Sequence, residues 1–244
     1  MPPSTIVVRN LKKSYGPVTA VAALSFEVHD GETFGLLGPN GAGKTTTVEC
    51  LVGLRVPDQG DIFIGGLDAR RHPREVRQRI GVMLQATSLQ RKITPREALH
   101  GFGSFYDRRE DIDALLERFS LADHADTTFD RLSGGYRQRL ALALAFVNAP
   151  DIVFLDEPTA GLDPQSRREL RELIAESRRG GRTIVLATHD LNEAERLCDC
   201  VAIIDEGAMV AVGRPAELVE LHVKRGTLED VFVRLTRRDD EKQP

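Results

Sequence analysis

Gly38-Pro39-Asn40-Gly41-Ala42-Gly43-Lys44-Thr45 fits the pattern G-x-x-x-x-G-K-[S/T]. Glycines at this spacing let a backbone wrap close to an anion, so that successive N–H groups converge on it at the positive end of the following helix. Such a loop suits a polyphosphate. Lys44 supplies a point charge for the β- and γ-phosphates, the Thr45 hydroxyl is a ligand for Mg²⁺, and Thr46 completes the phosphate-binding set. A second group of residues fits beside it. The apolar run Ile152-Val153-Phe154-Leu155 ends in Asp156-Glu157; a buried strand there carries Asp156 to the water shell of Mg²⁺, and Glu157 stands where a carboxylate orients an attacking water or takes its proton. Paired acids after a strand also serve as helix caps, but next to a phosphate loop the chemical reading is the stronger. Ser133-Gly134-Gly135 at a helix start makes a further anion site of the same physical kind.

These groups need elements to hold them. Residues 33–37 are apolar throughout and break into Gly38, the mark of a buried strand entering a loop. Residues 44–54 then read as a helix. Upstream, 5–11 and 21–28 alternate apolar and polar, the period of half-exposed antiparallel strands. Pro57-Asp58-Gln59-Gly60 turns the chain and 61–64 returns as a strand towards Gly65-Gly66. After a strand at 81–84 the pattern becomes helical, with segments at 97–106, 111–119 and 136–147. Strand and helix alternate again from 152 to 204, which implies right-handed crossovers and a mostly parallel sheet. The expected fold is α/β of P-loop NTPase type: a mostly parallel core, an N-terminal antiparallel β subdomain and an inserted α-helical subdomain at about 86–148. A nucleotide-binding domain is expected over 1–221, with a short C-terminal helix and a disordered charged tail over 222–244.

Composition narrows the function. A chain of 244 residues holds one α/β domain or one with a built-in subdomain. The 41% apolar and 29% charged residues are those of a soluble globular protein, while 5% aromatics and no Trp argue against a surface that stacks sugars or bases. A net charge of -4 gives no sign of a nucleic-acid partner. No run approaches the roughly 18 apolar residues that span a bilayer, and the opening Met-Pro-Pro-Ser-Thr lacks a signal core, so a cytoplasmic location with no direct membrane span is expected. Cys50, Cys198 and Cys200 read as reduced thiols. The latter two form either a redox pair or packing at a helix end.

Leu132-Ser133-Gly134-Gly135, placed between the phosphate loop and Asp156, resembles the signature motif of ABC ATPases, and the likeness runs from Ile6 to about Leu221. The resemblance implies further roles in chain order. Tyr15 matches the aromatic that stacks on adenine. Gln85 matches the glutamine that senses Mg²⁺ and the membrane partner. Pro158-Thr159-Ala160-Gly161-Leu162-Asp163 matches the loop that crosses between two subunits, with Ala160, Gly161, Leu162 and Asp163 in the dimer contact. His189 matches the histidine that meets the γ-phosphate and acts with Glu157. The metal set implied for Mg²⁺ is Thr45, Gln85 and Asp156. One position departs from the family: Tyr136 stands where glutamine is usual, which removes an amide from any contact with the opposing ribose.

Members of this family place the phosphate loop of one subunit against the signature of another, so that two ATP molecules lie between two copies. The resemblance therefore implies an ATPase, paired as a homodimer or with a similar ATPase, that drives transmembrane permease subunits from the inner face of the membrane. It also implies a groove, built by the helical stretch and the Gln85 loop, that receives a short helix of the membrane subunit. The stretches 31–38 and 139–147, and a tail like Leu228-Glu229-Asp230-Val231-Phe232, are similar to bacterial multidrug and daunorubicin-resistance exporters. That tail is either a cap on the sheet or a dimerisation element. The rival class is a soluble ABC ATPase acting on ribosomes or DNA; such proteins usually carry two cassettes or long insertions, and a basic stripe is missing here. A regulator without turnover would lack Glu157 or His189, and both are present.

Overall fold

The computed structural model describes residues 4–85, 88–178, 180–223 and 226–236. Two long alternating strands, β1 (Ser4–Tyr15) and β2 (Val18–His29), pair antiparallel and lead to β3 (Thr33–Leu37), which is buried at every position. β3 runs into α1 (Lys44–Leu51). β4 (Gln59–Ile64) then returns along β1, and the short β5 (Leu67–Asp68) completes an antiparallel sheet in the order β2-β1-β4-β5. Next come α2 (Pro73–Arg79), β6 (Ile80–Met83) and the helices α3 (Pro95–Gly103), α4 (Ile112–Arg118) and α5 (Gly134–Leu144). Alternation resumes with β7 (Ile152–Asp156), α6 (Pro164–Arg178), β8 (Thr183–Thr188), α7 (Leu191–Leu197) and β9 (Cys200–Asp205). The chain ends in an edge strand β10 (Ala208–Gly213), α8 (Pro215–Val223) and α9 (Leu228–Thr236).

The central sheet runs β10-β9-β3-β8-β7-β6, parallel except for β10. Its middle strands are apolar on both faces because each face is covered. Alternate side chains enter different cores. Phe34, Leu36, Phe154, Val185 and Ala187 pack towards α1 and the antiparallel sheet, with Ile6, Val8, Leu24 and Val48. Leu37, Val153, Leu155, Ile184 and Leu186 pack on the other side with residues of α5, α6 and α7. Leu99, Leu115, Phe119 and Leu140 from the helical stretch join that second core, as do Leu228 and Val231 of α9. The charged tail read as disordered lies outside the described residues from 237 onward.

Several element ends differ from those read in sequence, each for a local reason. α1 stops at Leu51 because Gly53 takes a left-handed φ of 74° and Leu54 N–H turns back to the Glu49 carbonyl. α3 begins at Pro95, since Thr94 and Glu97 form a reciprocal capping box with Pro at the first helical position. α5 begins at Gly134, so both signature glycines lie inside its first turn. The helix α2, absent from the elements read above, buries only Val76. Cys198 ends α7 and is a packing residue: a Cβ on Gly35 would lie 2.8 Å from its Sγ. Burial raises its thiol far above the ordinary range and holds those of Cys50 and Cys200 at about 11, so none is a ready thiolate.

The tightest backbone approach lies at Gly81 in β6, where a Cβ would sit 1.7 Å from the carbonyl oxygen of Ala145 at the end of α5. Neither atom belongs to a side chain that can swing away. Gly81→Ala is therefore expected to cost about 3 kcal/mol, the upper end for overpacking, seen as a lower denaturant midpoint in equilibrium unfolding.

Candidate functional site

The phosphate loop is shaped by what its glycines must avoid. Gly43 has φ 99°, and a Cβ there would lie 2.1 Å from the Ala20 carbonyl. Gly43 also occupies the N-cap of α1 without any side-chain cap, so the first amides of the helix face the loop with no internal acceptor. Lys44 is buried to 5% exposure. Its Nζ donates to the carbonyls of Gly38 at 2.8 Å and Pro39 at 3.0 Å, which folds it back over the loop. Burial lowers its pKa, while Glu157 and Asp156 pull it back up. Asn40, Gly41, Gly43, Lys44, Thr45 and Thr46 line a cleft of about 270 Å³ with Ala20, Gln85 and Glu157. Pro39 and Ala42 complete the loop behind it. Ala20 is a wall residue that nothing in the sequence marks.

Strand β7 delivers the two carboxylates. Asp156 is fully buried, and neither of its oxygens completes a hydrogen bond, though the Thr45 hydroxyl comes near enough to favour the ionised form. Burial nevertheless raises its pKa above the ordinary 3.8. Two orphaned oxygens on a buried carboxylate, a neighbouring hydroxyl and an amide side chain from Gln85 form a hard-oxygen set, and that set fits Mg²⁺. Glu157 turns the chain with a left-handed φ of 51°, a conformation that costs about 1–3 kcal/mol in a residue with a side chain. It is held there because its N–H donates to Ala187 O at 2.9 Å and its carbonyl accepts from Ala160 N–H at 3.1 Å. The turn sends the carboxylate into the cleft. Oε2 lies 2.8 Å from Nδ1 of the half-exposed His189, and Oε1 lies 3.5 Å from Lys44 Nζ. Three residues distant in sequence thus form one row of polar contacts.

Other residues singled out from the sequence lie elsewhere. None of Leu132, Ser133, Gly134 and Gly135 lines the cleft. Ser133 caps α5, accepting from Tyr136 N–H at 3.4 Å, and Ser133 and Gly134 are exposed while Leu132 anchors the segment in the core. The segment 133–135 thus lies at the surface, outside the cleft of the same chain. Tyr136 turns the other way: its ring packs 4.0 Å from that of His124. Ala160 and Gly161 are exposed too, Leu162 is half-buried, and Asp163 caps α6 through Gln165 and Ser166 N–H. Tyr15 stands exposed at the end of β1, with Lys13 Nζ 5.5 Å and Arg55 Cζ 6.0 Å from its ring centroid. A separate groove of about 420 Å³ opens between β6 and the helical stretch, lined by Leu54, Val82, Leu84, Phe102, Tyr106 and Leu144. Leu84 brings the loop before Gln85 to this groove, whereas Gln85 itself faces the nucleotide cleft.

The family model described as ABC transporter matches residues 21–160. Among curated proteins, the Nod factor export ATP-binding protein I of Paraburkholderia xenovorans is 44% identical over 234 residues, covering 94% of this chain and 77% of that protein. Its namesake from Rhizobium sp. strain N33 is 43% identical over 218 residues, covering 87% and 72%. A solved structure of an ATP-binding subunit of an ABC transporter superposes with a TM-score of 0.86 at 29% identity, over 96% of this chain and 100% of the other. An ATP-binding cassette solved in its ADP conformation, at 21% identity and a TM-score of 0.81, shares the fold. The relatives named here carry export in their names, which supports the exporter reading and leaves the multidrug label without support of its own. With the loop, the carboxylate pair and the signature in their expected elements, the chain belongs to the ABC transporter family, as one of its ATP-binding, ATP-hydrolysing subunits.

Proposed function

We propose that this chain hydrolyses Mg²⁺-ATP at a site completed by a second ATPase subunit, a copy of itself or a close relative, and thereby drives a transmembrane export partner. The observation that carries the reading is the row Lys44–Glu157–His189, of which Lys44 and Glu157 line the phosphate-loop cleft, while Ser133-Gly134-Gly135 lies outside that cleft. A γ-phosphate in the cleft draws Lys44 from the Gly38 and Pro39 carbonyls. The same phosphate, reached by the signature amides of the other subunit, closes the pair. Tyr15 offers an exposed ring for adenine, and residues 160–163 supply the exposed loop for the contact between subunits.

In hydrolysis Glu157 orients a water on the γ-phosphorus and takes its proton, and His189 fixes the carboxylate and meets the phosphate oxygens. Thr45, Asp156 and, through its amide, Gln85 would hold Mg²⁺, which when bound neutralises charge on the phosphates. Cleavage leaves two anions that repel and no longer bridge, so the pair opens. The apolar groove between β6 and the helical stretch suits a short helix of the membrane subunit. No helix among the described residues is long and apolar enough to cross a membrane, so attachment at the inner face falls to that partner. Relatives named for Nod factor export favour outward transport, with cargo selected in the membrane subunits. No observation favours the ribosome or DNA reading.

Two tests follow from the carboxylates. Asp156 holds its proton more tightly folded than unfolded, so stability falls as pH rises from about 4 through the raised folded pKa. Asp156→Asn is expected to melt a few degrees above the wild type without nucleotide at neutral pH, an advantage that shrinks in acid, and to lose Mg²⁺-dependent turnover. Differential scanning calorimetry across pH reads both the sign and the window. Glu157→Gln keeps ATP affinity but lowers turnover by about 100-fold or more, and elutes as a dimer in ATP and Mg²⁺. A monomer with normal turnover would count against the proposed role.

A further inference from the structure

The segment that carries His189 and the loop at 159–163 are joined by side chains to which no step above assigns a task. Thr159 Oγ1 donates to Glu193 Oε1 at 3.0 Å, between residues only 4% and 1% exposed. Glu193 sits in the first turn of α7, and its N–H donates to Asp190 Oδ1 at 3.1 Å, while Asp190 N–H donates to Thr188 Oγ1 at 3.0 Å. Both sequence neighbours of His189 are therefore pinned to the same turn. From α6, Arg171 pairs with Asp190 and brings its Nε to 3.8 Å from Glu193 Oε1. Arg167, one helical turn earlier, lies 3.8 Å from Asp190 and donates to the Leu162 carbonyl at 3.2 Å. Thr159 and Leu162 bracket the exposed Ala160-Gly161 tip just as Thr188 and Asp190 bracket His189.

The cluster is poorly accounted for as a stabilising device. Glu193 Oε2, Arg167 Nε and Arg171 Nε are buried without hydrogen bonds, and incompletely satisfied buried ions are weaker than apolar packing of the same volume. What it specifies well is relative position: a displacement of the loop moves Thr159 and Leu162, and through Glu193 and Asp190 it moves the backbone on either side of His189.

We infer that Thr159 and Glu193, braced by Arg167 and Arg171, are positioning residues for hydrolysis: they transmit the pressure of the opposing subunit on the 160–163 loop to His189, and so set where His189 holds Glu157. The inference rests on the two-subunit reading above.

Thr159→Val keeps the side-chain shape and removes the donor; Thr159→Ser keeps the donor. For the valine variant kcat is expected to fall by about 10-fold or more, with KM and the calorimetric Kd for ATP within about twofold and Tm lower only by the few degrees that one orphaned buried acceptor costs, while serine recovers most of the rate. Glu193→Asp, which keeps the charge and withdraws the acceptor by one methylene, gives the same selective loss of kcat, so the claim stays testable if the valine variant folds poorly. In a Glu157→Gln background the valine variant still dimerises in ATP. Full kcat in both variants, or loss of kcat together with an equal loss of ATP affinity, overturns the positioning role. A Glu157→Gln chain that stays monomeric in ATP overturns the two-subunit reading instead, and transmission from a partner with it.

Discussion

Everything chemical in this molecule depends on keeping ionised groups out of water at the end of one strand. Asp156 and Glu157 leave β7 with 0% and 5% exposure, and the nearest cation is Lys44, itself 5% exposed. Burial penalises a charge, and contact offsets it: Glu157 reaches His189 and Lys44, Lys44 reaches the Gly38 and Pro39 carbonyls, and the Thr45 hydroxyl comes near Asp156. The fold supplies that proximity by pairing β7, β8 and β3 side by side, so that the loop after β3, the turn after β7 and the histidine after β8 emerge at one edge. A parallel sheet with its carboxyl ends aligned is a natural place for such convergence.

The same constraint explains the incompleteness of the site. Asp156 has two unsatisfied oxygens, the α1 amides have no cap, and Lys44 satisfies itself on its own loop. The Asp156 oxygens and the α1 amides are partners that a metal ion and a phosphate would take up. The signature at the start of α5 lies outside that cleft, with Ser133 and Gly134 exposed. Tyr136, which departs from the usual residue, is occupied with His124, so the signature here presents backbone amides and the Ser133 hydroxyl without an amide side chain.

The readable parts of the sequence were those in which local chemistry dictates shape. The buried runs at 33–37 and 152–155 declared themselves by being apolar without alternation, and the phosphate loop by glycine spacing. Helix α6 is of the same kind: Pro164 starts it, and a stripe containing Leu170 and Ile174 recurs along it at helical spacing. Less legible were elements held by tertiary contact. α2 carries one buried residue, β10 is an edge strand that exposes Val210 and Val212, and the ends of α3 and α5 depend on capping by Thr94 and Ser133. Site membership followed the same division: the residues around the cleft were identified by motif, whereas Ala20 in its wall and the Thr159–Glu193 contact depend on distances across the fold.

The central claim, a site divided between two chains, is tested most directly by mixing two inactive variants. Lys44→Ala destroys the loop half of the site and Ser133→Arg destroys the signature half, so each variant alone has no intact site in its own dimer. When they are combined, a mixed dimer unites the intact loop of one with the intact signature of the other. Recovery of ATP hydrolysis on mixing, absent from either variant alone, is the predicted result; substantial turnover by Ser133→Arg alone, or a mixture that forms dimers and stays inactive, would contradict it.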